Sequence, residues 1–142
     1  MNRNDPYDLQ RFIDAQSGWI EQASRELQEG RKQSHWMWFI FPQLKGLGHS
    51  AMSHRYGISS RREAEAYLAH PLLGTRLRQC TALVIALEGR SVEEIFGAPD
   101  DVKFRSSMTL FASVDSESSL FSNALKKYFA GKPDQVTIDR LL

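Results

Sequence analysis

Two clusters of side chains in this chain are equipped for chemistry. The first is Ser34-His35-Trp36-Met37-Trp38-Phe39-Ile40-Phe41-Pro42-Gln43, an unbroken run of large apolar groups framed by hydrogen-bonding ones. Such a run costs more to leave in water than to bury, so it belongs to the core or to a pocket wall. His35 could act as a general base or as a stacking and hydrogen-bonding group for a planar ligand. Trp36, Trp38 and Gln43 would grip the planar part of that ligand. A bland reading stands beside this one: a partly buried histidine tied to a backbone carbonyl, at the edge of an ordinary core.

The second cluster is Lys103-Phe104-Arg105-Ser106-Ser107. It falls at the start of an expected helix, where free N–H groups and the helix dipole would join two cations in holding a phosphate or carboxylate. Serines inside a helix have low intrinsic propensity, so Ser106 and Ser107 hint at another duty. Against this, Lys103 and Arg105 on either side of Phe104 are what any amphipathic helix allows. Glu63, Glu65 and Asp134 are the carboxylates nearest to pocket-like surroundings, and a pair converging across a cleft could do acid–base work on a glycosidic bond. Yet Glu63 is also the third residue of a capping box opened by Ser60, and Asp134, after Pro133, serves equally well as a helix cap. His49 and His54 sit in a glycine-containing loop, but with no HExxH, no CxxC and no second close pair, no metal site is expected. His70, before Pro71, is read as helping to end a helix. No glycine-rich phosphate loop and no GxSxG elbow occurs, so no cofactor is assigned.

The elements that must position these groups read as helices. Asp5-Pro6 starts a first one, with Leu9, Phe12, Ile13, Ala23 and Leu27 at three- and four-residue steps and Gly30 as its end. The aromatic run is read as a short helix, since no partner strand is visible. Further helices are expected from Ser60, from Pro71 to Gly89, from the Ser91/Glu94 capping box to Phe96, from Val102 to Ala112 after Asp101, from Leu120 to Ala130, and a last turn or two from Gln135 to Leu142. The stretch between Pro42 and Ser59, with Gly46, Gly48 and Gly57, is left as a long loop of the kind that carries function. The spacing therefore predicts an all-α single domain over residues 1–142, with about seven helices of unequal length and not a regular four-helix bundle.

Composition narrows the partners. The chain has 142 residues, and 18 Lys and Arg balance 17 Asp and Glu to leave a formal charge of +1, too little field to hold a polyanion, so nucleic acid is not expected. The one cysteine, Cys80, excludes an internal disulfide. No apolar run approaches the ~20 residues that span a bilayer, and no membrane partner is expected. A cytoplasmic location is the reading that follows, with the oligomeric state left open.

The aromatic run, Gly46-Leu47-Gly48, Glu63-Ala64, Tyr67-Leu68-Ala69-His70-Pro71-Leu72-Leu73-Gly74, Ile95-Phe96-Gly97 and the span from Asp101 to Phe111 together resemble a bacterial family known as domain of unknown function 1810. That resemblance covers nearly the whole chain and implies a mainly α-helical fold with no established activity. The calpastatin-like label sometimes attached to the family implies a disordered inhibitor, at odds with the full complement of core residues here. A fainter likeness, in the order Ser-x-x-Glu, a Leu-Gly helix, Lys-Phe and a later Gly-x-x-Asp, is to the NADAR group of N-glycosidic hydrolases. It implies Glu63 and Asp134 as acid–base candidates and Lys103 as the anion contact, although the tryptophan expected after the aspartate is replaced by Gln135 to Ile138. The expectation is a protein that binds, and in the speculative extension hydrolyses, a small anionic, nucleotide-like metabolite. The alternative is a non-enzymatic interaction or structural module whose aromatic segment is core.

Overall fold

A computed structural model describes residues 4–142 of the chain. Among them the regular structure is entirely helical. Helices α1 (Gln10–Ser17) and α2 (Ile20–Glu29) occupy the region where one continuous helix is expected. The break falls at Gly18 and at Trp19, which leaves helical geometry at φ −129° and donates its N–H to the Gln16 carbonyl. Glycine is a poor helix former, and the bend lets Trp19 and Ile20 pack against the core. Asp5 still works as a starting acceptor, its carboxylate taking the N–H groups of Leu9 and Gln10. Gly30 ends α2 as expected, in the left-handed conformation at φ +80°.

The aromatic run folds into a four-residue helix, α3 (Met37–Ile40). The long loop after it is shorter than expected because it contains α4 (Ala51–Arg55), capped by Ser50, whose hydroxyl accepts from the Ser53 N–H. One parallel bridge between Leu44 and Ile58 closes this loop at its base, with Lys45 donating to the Ile58 carbonyl and Ile58 to that of Gln43. The remaining elements are α5 (Arg61–Ala69), α6 (Leu73–Ala86), α7 (Val92–Phe96), α8 (Asp100–Val114), α9 (Leu120–Phe129) and α10 (Gln135–Leu141). Among the described residues ten helices thus replace the expected seven or so, chiefly through the break at Gly18 and the added α4.

Helix α8 is the centre of the packing, touching α5, α7, α9 and α10. Its buried face runs from Phe104 through Met108 to Phe111. Phe104 stacks on Phe96 at 4.6 Å between ring centres and meets Phe41 edge-on at 5.1 Å. A second aromatic group joins Phe12, Tyr67 and Phe111 farther along the same core. Helices α5 and α6 approach so closely that a Cβ added to Gly74 would lie 2.1 Å from the Leu68 carbonyl oxygen. Backbone cannot give way as a side chain does, so Gly74→Ala is expected to destabilise the fold by about 1–3 kcal/mol or more, read as a lower urea midpoint. An unchanged midpoint would mean that the α5–α6 junction is looser than this contact implies.

Candidate functional site

The aromatic segment is held in place by a carboxylate. Glu26, on the buried face of α2, accepts the backbone N–H groups of Gln33 and Ser34, the Ser34 hydroxyl, the Gln22 amide and the Trp36 indole N–H. Burial works to raise its pKa, but those donors, Ser34 foremost, outweigh it and hold the carboxyl at about 2, against an ordinary 4.5. Anchoring Trp36 in this way turns Trp38, two residues on, toward α8.

Lys103 meets it there. The Lys103 ammonium lies 5.3 Å from the centre of the Trp38 ring and 3.7 Å from Asp100, at the start of the same helix. Asp100 is shared: its other oxygen makes a closer pair, 2.8 Å, with Lys32, whose side chain is only 7% exposed and covers the Trp36 ring. Two ammoniums and one carboxylate leave a net positive charge, and Lys103 is the less tightly paired of the two. The indole N–H of Trp38 is buried without an acceptor among the described residues, and so is the hydroxyl of Ser107, one helical turn beyond Lys103.

Two adjoining hollows meet at Lys103 and Gln43. The inner one, between Trp38, Phe41, Ser53 and Tyr56, has about 10 Å³ of free volume, the size of a single water site. The outer one is an open groove of about 390 Å³ with Leu47, Pro99, Val102, Ser106, Asp134 and Val136 on its walls. Gly48 closes against the Ser53 hydroxyl so tightly that a Cβ there would sit 2.4 Å from it. The loop between Pro42 and Ser59 therefore supplies one wall of both hollows; Trp38, Phe41 and Lys103 face it in the inner one, and the first two turns of α8 with Asp134 and Val136 face it in the outer one.

The structure thus brings together Trp38, Gln43, Lys103 and Ser106, drawn from both clusters of candidates. Ser106 is buried, and its hydroxyl lies within hydrogen-bond reach of the Val102 carbonyl and of Asp134. Other candidates go elsewhere. Trp36 is fully buried on Glu26 and is a core residue, not a pocket wall. His35 is exposed and lines neither hollow. Arg105 turns away, donating to the Lys132 carbonyl and lying over the Phe129 ring. Nor does the start of α8 offer an anion cradle, because Asp100 and Asp101 occupy its first turn. Glu63 is spent on structure: its oxygens take the Arg11 guanidinium at 2.8 Å and the Ser59 N–H and hydroxyl. Asp134 caps α10 through Thr137. The two carboxylates line different hollows, so the acid–base pair expected between them is not assembled. His70 does its work at a helix junction, its Nδ1 accepting the N–H groups of Leu72 and Leu73. His49 and His54 are exposed.

Reading the sequence missed Lys32, Asp100, Ser53 and the organising role of Glu26. Lys32 and Asp100 are 68 positions apart with no local motif between them, whereas Ser50 three residues before Ser53 was a legible cap signal.

Among the described residues, no helix is long and apolar enough to cross a membrane. No curated protein matches the chain. It is similar to the crystal structure of the conserved hypothetical protein Rv1873 from Mycobacterium tuberculosis, with 54% sequence identity over 96% of this chain and 98% of that one and a TM-score of 0.95. The family model described as protein of unknown function DUF1810 matches residues 6–141. Nearly every residue that builds the core and the groove falls within that span, and the chain belongs to the DUF1810 family.

Proposed function

We propose that this protein binds a small anionic metabolite in the groove beside Trp38, with Lys103 as the anion contact. One observation carries the reading: an incompletely neutralised ammonium sits over an indole whose own N–H is buried without an acceptor. A buried donor left unpaired costs about 1–3 kcal/mol, so an incoming oxygen atom that accepts from it is favoured. Gln43, at the meeting of both hollows, adds an amide for orientation. Catalysis is not part of the proposal, since Glu63 and Asp134 are committed to Arg11 and to the α10 cap.

Native mass spectrometry on protein made in cells, followed by small-molecule analysis, tests this directly. The wild-type chain is expected to carry an anion that Lys103→Met loses while its melting temperature stays within a few degrees. Retention of the same molecule by Lys103→Met would remove the anion role. The rival reading, a non-enzymatic interaction module, draws on the exposure of Val102 and Val136, 58% and 50%, on the groove rim. It requires that Val136→Lys abolish a protein partner without any small molecule being involved.

A further inference from the structure

The groove has a charge balance and a wall chemistry that narrow the kind of anion it takes. We infer that its ligand is a monocarboxylate with an apolar or aromatic body, not a phosphate ester, an inference that rests on the anion-binding reading above. Lys103 is the groove's one cationic wall residue among those described, and Asp134 sets a carboxylate on the same wall. Behind Lys103, Asp100 already neutralises one charge of the Lys32 and Lys103 pair. Arg105, the guanidinium that would fork onto a phosphate, points to Lys132 and Phe129 instead.

A phosphate monoester brings a charge approaching −2 near neutral pH and three acceptor oxygens. Proteins meet that demand with guanidinium forks, backbone nests or free helix N-termini. Here the first turn of α8 presents Asp100 and Asp101, and Asp101 has taken up the Val102 N–H for itself. A second negative charge would have Lys103 alone to answer it. A carboxylate asks for less: a single charge facing the ammonium, which also rests over the Trp38 indole of the adjoining inner hollow.

The rest of the groove suits the rest of such a molecule. Leu47, Pro99, Val102 and Val136 form walls that are largely apolar, and both valines are more exposed than most large apolar side chains of this protein. A ligand body laid against them removes that surface from water. At about 390 Å³ the groove is within the range of small-molecule sites.

The full chain, labelled with nitrogen-15, can be titrated with two probe sets: phenylacetate and octanoate, and AMP and ribose 5-phosphate. The readout is the Trp38 indole N–H signal, identified by its loss in Trp38→Phe. The carboxylates are expected to move this signal, and Lys103→Met to weaken them roughly tenfold or more. Val136→Glu, which keeps Lys103 and adds a charge to the apolar rim, is expected to weaken them as well. Tighter, Lys103-dependent binding of the phosphate esters would overturn the ligand class while leaving the anion site standing. A signal that neither set moves would sink both readings. Carboxylate binding that survives Lys103→Met unchanged would overturn the assignment of the charged contact.

Discussion

Glu26→Ala is expected to cost about 3–5 kcal/mol, a large part of the 5–15 kcal/mol typical of a domain's stability. The substitution removes an acceptor shared by five donors, and one of them, the Trp36 indole N–H, has no route to water because Trp36 is fully buried. Half-buried donors such as Gln22 can rehydrate in part, so the loss is smaller than five full hydrogen bonds. Glu26→Gln separates charge from shape. The folded-state pKa of about 2 lies below the ordinary 4.5, so the contribution of the charged form is fully present above about pH 4.5 and fades as pH falls toward 2. The stability gap between the wild type and Glu26→Gln is therefore expected to narrow from pH 6 to pH 2.5. Asp115, held at about 2 by Arg78 and Ser118 against the opposing effect of its burial, adds its own acid lability, but it does so equally in both proteins. A gap of constant size over that range in urea titrations would show that ionisation of Glu26 contributes nothing.

Phe104→Ala is expected to lower stability by about 3–5 kcal/mol, or roughly 10–17 °C in melting temperature for a chain of this length. Its ring is in contact with Phe41, Phe96, Tyr128 and Phe129, so truncation leaves a cavity bounded by other rings that cannot all close in. The neighbouring Lys103 also depends on this seat. The variant should therefore lose anion binding together with stability, whereas Lys103→Met loses binding alone. A loss under 1 kcal/mol would mean that the surrounding aromatics repack freely, contrary to the interlocked edge-on geometry at Phe41.

Local signals carried well from sequence to structure, and long-range ones did not. The Ser91 capping box is present with both of its hydrogen bonds, because each partner lies within three residues. The box at Ser60 is only half made. Its hydroxyl accepts from the Glu63 N–H as expected, but the Glu63 side chain is drawn away to Ser59 and to Arg11, 52 residues earlier. No spacing rule reports such a pair. At the site, Trp38, Gln43, Lys103 and Ser106 were legible as polar or aromatic groups in runs that otherwise had no need of them. Arg105 misled for a geometric reason: two residues along a helix is a rotation of about 200°, so it cannot share a face with Lys103, while Ser106 and Ser107 can. Trp36 and His35 likewise depended on which way a four-residue helix would turn, and that was decided by Glu26 on another element.

The carboxylate of Asp100 touches two ammoniums, and each ammonium rests on a different indole of the same short segment. Neutralising Lys103 from outside relaxes its hold on Asp100, strengthens the remaining pair with Lys32, and so alters the field at Trp36. On the anion-binding proposal, intrinsic fluorescence is therefore expected to act as a built-in gauge, an interior chromophore, shielded from solvent quenchers, that registers occupancy of a groove it does not line.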